Sequence, residues 1–132
     1  MGAWGSGNFD NDTVQDWIIE LVEAQDISLL SESIEMVLED NYLDADVACI
    51  AIGAVEILAA LQNRPGKEIY EDELQEWILQ HKGQGKNLLE KSHKALEKIL
   101  AESELKELWE ETEEYGNWVT TIKELQSRII II

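Results

Sequence analysis

The chain has 132 residues, of which 45% are hydrophobic and 29% charged, and a formal net charge of −18. That length fits one domain, and the apolar share is enough to bury a core. Such a charge excludes a surface that attracts nucleic-acid phosphates or anionic lipid heads.

The charge is also partitioned. Residues 1–63 carry thirteen Asp and Glu but no Lys or Arg, and every basic residue lies from Arg64 onward. An acidic half of this kind attracts a basic partner. The single cysteine, Cys49, excludes an internal disulfide framework and lies in an apolar run, where a free thiol is ordinarily a small core residue. No basic segment followed by an apolar stretch opens the chain. The longest apolar run, 47–61, contains Glu56 and falls short of the about 20 residues a membrane span needs. The expectation is a cytoplasmic protein that does not enter a membrane.

The chain opens MGAWGSGNFDND. Met-Gly-x-x-x-Ser matches a myristoylation signature, but a single acyl chain holds a membrane only marginally, and the neighbours here are acids, not a polybasic patch. A phosphate-cradling loop needs a preceding strand and a lysine, or a helix N-terminus aimed at the anion. No strand precedes Gly2, no Lys is near, and Asp10 and Asp12 occupy the start of the first helix. The opening reads better as a glycine-rich lead-in, 1–9, packed on the bundle. Asp10 is then the N-cap, and Phe9 and Val14 take the two positions of a hydrophobic staple. The glycines let the backbone approach closely, so that Trp4 is laid onto the core.

Val14, Trp17, Ile18, Leu21 and Val22 then form one apolar stripe at helical spacing, with acids opposite. A second helix is predicted over about 30–40, with Ile34, Val37 and Leu38 inward. The third, about 43–62, is apolar nearly all round and reads as the central helix. NRPG at 63–66 breaks it. A shorter helix over about 70–81 buries Leu74, Trp77 and Ile78, and KGQGK at 82–86 is the next breaker. The fifth helix, about 87–101, presents Leu88, Leu89, Leu96, Ile99 and Leu100. Ser103 caps a sixth, whose single stripe runs Leu105, Leu108, Trp109, Thr112, Val119, Ile122 and Leu125. No strand pattern occurs, although RIIII at 128–132 has high β-propensity and reads as an exposed-looking edge seeking a partner, either the protein's own bundle or a second chain. The expected fold is an all-α, compact single-domain bundle (1–132) of about five to six helices around a largely buried central one.

Few residues form a chemical constellation. Asp10, Asp12 and Asp16 resemble the start of a calcium loop, but that loop requires Gly at its sixth position and Glu at its twelfth, where this chain has Gln15 and Leu21. Capping and a solvated face account for them. His81 and His93 lie on different segments without Cys or a HExxH frame, so no zinc site is read. KGQGK lacks the spacing of a nucleotide-binding loop and reads as a breaker with basic ends. No cofactor is expected. Glu56 stands out, because a carboxylate inside an apolar helix is costly to bury unless bonded. It is either a catalytic acid or base, or a structural acceptor for backbone amides or an indole N–H, both of which the opening stretch offers. The structural reading is favoured. The five tryptophans sit at core spacings, and Trp118, off the main stripe of its helix, is the nominated partner contact.

The opening resembles that of a family catalogued as domain of unknown function 4259, which begins Met-Gly-x-Trp-Gly-x-Gly-x-Phe-x-Asn-Asp. AIGAVEILAAL at 51–61 with its Glu56, LQEWI at 74–78 and SELKELW at 103–109 fit as well. The resemblance covers nearly the whole chain and departs at Asn8, where many relatives have Pro. It implies an all-α bacterial cytosolic domain and carries over no activity.

Two functions follow as expectations. The first is a protein-interaction module for a basic partner, as inhibitors and immunity-type proteins are, with a DNA-mimic inhibitor as a special case. The second is an unrecognised enzyme or small-ligand-binding protein using Glu56 and nearby carboxylates. The absence of a catalytic constellation favours the first. Direct nucleic-acid and membrane binding are not expected, and no sequence feature sets the oligomeric state.

Overall fold

A computed structural model describes residues 12–39, 43–66 and 71–130. Over these the chain forms seven α-helices and no strand: α1 Asp12–Val22, α2 Ser28–Glu39, α3 Ala45–Leu61, α4 Asp72–Gln80, α5 Leu89–Ala101, α6 Glu104–Glu110 and α7 Tyr115–Arg128. A 3-10 turn, Lys86–Leu88, leads into α5. The packed lead-in read at 1–9, with Trp4, Phe9 and the Asp10 cap, lies outside the described residues.

The centre of the bundle is α3. Thirteen of its seventeen residues are buried, and it touches each of the other six helices. A helix apolar on every side can form in water only if other elements cover every side. The covering helices are amphipathic and each turns a stripe inward: Val14, Trp17 and Leu21 from α1, Leu30, Ile34 and Val37 from α2, Leu96 and Ile99 from α5, Ile122 and Leu125 from α7. Alanines at 48, 51, 54, 59 and 60 keep α3 slim, so that these neighbours approach closely.

Polar caps set where α3 and its neighbours begin. The Asp44 carboxylate accepts from the Val47 amide at 2.8 Å, in the manner of an N-cap. A second carboxylate, Glu104 at the start of α6, accepts from the Ala45 amide at 2.8 Å, while its own amide donates to Leu43 O at the same distance. Negative charge at this end also suits the α3 dipole. Ser103 caps α6 as expected, accepting from the Lys106 amide at 3.0 Å and donating to Ile99 O at 2.8 Å. At the other end of the molecule α4 is tied to the turn after α1. The Trp77 indole donates to Ala24 O at 2.9 Å, and the His81 ring, stacked on Trp77, lies between Trp77 O (2.8 Å) and Gln25 O (3.1 Å). His81 is thus buried among backbone carbonyls, the role of a structural histidine.

One expectation is corrected. The single sixth helix is in fact two, α6 and α7, separated at 111–114. Thr112 makes that break: its hydroxyl donates to Trp109 O at 2.8 Å and accepts from the Glu114 amide at 3.2 Å, offering the backbone an alternative to the helical ladder. Thr112 is therefore exposed instead of lying on an apolar stripe. Of the two partners expected for the RIIII ending, the described part takes its own bundle: Ile129 is buried in the core, while Ile130 is about half exposed; the last two isoleucines lie outside the described residues.

One glycine is required by the turn before α5. Gly85 sits at φ +89°, and a Cβ there would lie 2.5 Å from Leu58 Cδ1, in the core of α3. Gly85→Ala combines left-handed strain with an overpacked contact and is expected to lower stability by about 1–3 kcal/mol. Urea unfolding with an unchanged slope would record it as an earlier midpoint.

Candidate functional site

The buried carboxylate of α3 comes first. Glu56 is 2% exposed and receives the guanidinium of Arg128, in the last turn of α7. Arg128 Nη2 donates to both Glu56 oxygens, at 3.1 Å to Oε2, and its Nε donates to Glu124 Oε2 at 2.6 Å. The two arginines of the chain also bond each other's backbone. Arg128 Nη1 donates to Arg64 O at 3.2 Å, and Arg64 Nη1 donates to Arg128 O at 3.3 Å. Gly66 lies over the ion pair so closely that a Cβ would sit 3.1 Å from Glu56 Oε1 and from Arg128 Nη2. Burial works against the Arg128 charge, but the hydrogen bonds to Glu56 and Glu124 outweigh it and raise its pKa, so the group stays ionised. This arrangement clamps the end of α7 and the loop after α3 onto the buried carboxylate.

From its sequence Glu56 is expected to accept from backbone amides or an indole of the opening stretch. The partner found is Arg128, which local spacing does not reveal; any bond from the opening stretch falls outside the described residues. One signal was available: Arg128 lies four residues after Glu124, directly before an isoleucine run.

The second feature is a groove of about 330 Å³ between α1 and α4, with Ile19, Val22 and Trp77 among its apolar lining and Glu23, Glu73 and Glu76 as its carboxylates. Ile19 is 62% exposed. Neither helix carries a Lys or Arg. Around the seam Asp12, Asp16, Glu20, Glu23, Glu71, Asp72, Glu73 and Glu76 are all exposed, and none makes an ion pair among the described residues. Asp12 opens α1, where a carboxylate suits the helix dipole, and Asp16 lies one turn on. No group of His, Cys, Asp and Glu among the described residues is arranged to hold a metal ion.

Trp118, nominated as an exposed contact, is instead buried at 3% and stacks on Trp109 with ring centroids 6.5 Å apart. The break at 111–114 is the reason. It resets the helical phase, so Trp118, Ile122 and Leu125 become the inward stripe of α7 at i, i+4, i+7. Cys49 is buried, and burial together with Asp46 and Asp44 pushes its thiol up to about 12.

Compared with known proteins, the chain matches over residues 2–121 the model of a family described as a domain of unknown function (DUF4259). No curated protein and no solved structure matches it. Among the described residues no helix is long and apolar enough to cross a membrane.

Two predictions follow from this geometry. Glu56→Leu leaves the largely buried Arg128 charge with Glu124 as its remaining carboxylate and is expected to cost about 3 kcal/mol, whereas Glu56→Leu combined with Arg128→Met should recover most of that loss, because a well-packed apolar pair replaces a buried ion pair at little cost. Equilibrium unfolding of both variants measures the difference. The Cys49 thiolate is the reactive form, so native protein near neutral pH should resist a thiol-trapping reagent that modifies the denatured chain fully. Above the ordinary thiol range the unfolded chain ionises first, so stability should also fall as pH rises toward about 12.

Proposed function

The chain belongs to the family described as a domain of unknown function (DUF4259), a premise that assigns no activity, and we propose that it is a protein-interaction module that binds a basic partner, in the manner of an inhibitor or immunity-type protein. One observation carries this reading: the α1–α4 groove joins an exposed isoleucine and the edge of a buried tryptophan to a rim of unpaired carboxylates. An apolar floor supplies contact area, and aromatic residues at such floors are common anchors. The carboxylates at 23, 73 and 76, within a base-free face, would steer a Lys- or Arg-bearing surface onto it. In keeping with this, Glu56 is engaged in the clamp with Arg128, and neither it nor Cys49 lines the groove.

The partner is a protein segment that presents an apolar side chain flanked by Lys or Arg, the complement of this groove. Rim charges act mainly on the association rate and on its salt dependence. Neutralising Glu23, Glu73 and Glu76 together to Gln is therefore expected to slow association about tenfold at low salt and to flatten the salt dependence. Ile19→Asp should instead weaken the complex through faster dissociation. A partner is first captured from lysate on the immobilised wild-type chain at low salt, and its association and dissociation kinetics on wild type and both variants then test this. A partner bound equally by all three, or with no salt dependence, would overturn the reading.

A further inference from the structure

A second recess lies where the loop after α3 meets the turn before α5 and the end of α7. It encloses about 270 Å³, and Arg64, Lys86 and Arg128 line it. Three of the ten basic residues of a chain with twenty-eight acids thus converge on one concavity. The dipole of α3 favours cations here, since its C-terminal carbonyls face this end.

The three cations are not equally available. Arg128 is held by Glu56 and Glu124. Arg64 uses Nη1 on the carbonyls of Arg128 and Ile130, at 3.3 and 3.5 Å, which fixes the guanidinium and leaves its other N–H groups. Neither Arg64 nor the exposed Lys86 has a carboxylate partner among the described residues. Among the described residues these two positive charges therefore have no carboxylate beside them. The rest of the wall is Gln62, whose amide donates to Gln84 O, and an apolar side: Leu89 and Ile129 are buried edges of the core, and Ile130 stands 52% exposed beside them.

From this pairing of free cations with a hydrocarbon wall, we propose that the recess binds a small monocarboxylate carrying a short aliphatic body. A guanidinium meets a carboxylate with two parallel hydrogen bonds, and the Lys86 ammonium adds a point charge from the open side. The body lies on Leu89, Ile129 and Ile130. Size sets the ligand class: at about 30 Å³ per water-sized group, 270 Å³ holds about nine such groups. That accommodates a carboxylate with a short branched chain. A free phosphate dianion fits less well, because it has no hydrocarbon body to lay on Leu89, Ile129 and Ile130. The proposal is independent of the groove between α1 and α4, which shares no residue with this recess.

Isocaproate serves as the probe, with isocaproamide and inorganic phosphate as comparisons, titrated into the full chain and followed by amide chemical shifts. The expected result is saturable binding of isocaproate with shifts confined to 62–66, 86–89 and 128–130, and at least about tenfold weaker binding of the amide. Lys86→Gln should weaken isocaproate binding about tenfold while leaving the thermal melt unchanged, because the Lys86 side chain is exposed and makes no hydrogen bond or ion pair among the described residues. Arg64→Gln should weaken it at least as much. Equal binding of acid and amide, equal or tighter binding of phosphate, shifts scattered over the surface, no saturable binding, or wild-type affinity in Lys86→Gln would each overturn the assignment.

Discussion

The constraint on which the rest of the structure depends is the enclosure of α3. A seventeen-residue helix with thirteen buried positions has no face to give to water, so six helices must surround it. Each of them directs its apolar stripe inward, and the outward faces are left to the charged residues. The large negative charge of the chain is thus a property of the outer surface, and the centre stays almost free of charge. Almost, because Glu56 lies in the middle of the enclosed helix.

That carboxylate gives the packing a specific closure at one end. Burying it is tolerable only with a partner brought to it, and Arg128 arrives from the last turn of α7. The consequence spreads outward. The reciprocal bonds of the two arginines fix the loop after α3 against the end of α7, Gly66 is held to a position where side-chain volume would press on the pair, and Ile129 is drawn into the core. The same concentration of cations then shapes a recess whose character is opposite to that of the molecule as a whole.

The two concave features differ because they arise differently. The groove forms where α1 and α4, both free of basic residues, lie side by side and their flanking acids meet water. The basic recess forms where helix ends converge, and helix C-termini favour cations. The described bundle therefore presents an acidic seam and a basic concavity lined by different residues. Neither draws on the carboxylate of α3, whose work is done inside the clamp.

The helices themselves were legible from periodicity alone. The stripes of α1, α2, α4 and α5, the all-round apolarity of α3 and the Ser103 cap are local patterns, and local patterns survive into the fold because backbone hydrogen bonding and amphipathic burial act over a few residues. The break at 111–114 was not legible. A threonine side chain competing with the helical ladder looks, in sequence, like one more position on a stripe, and missing it put Trp118 on the wrong face. The partner of Glu56 was equally hidden. Seventy-two residues separate it from Arg128, and no short-range rule pairs residues at that distance. Composition fixed an acidic surface and the spacing of apolar residues fixed the helices. The docking of α4 on α1 and of the end of α7 on α3 decided which charges meet, because those meetings depend on long-range packing that no local pattern encodes.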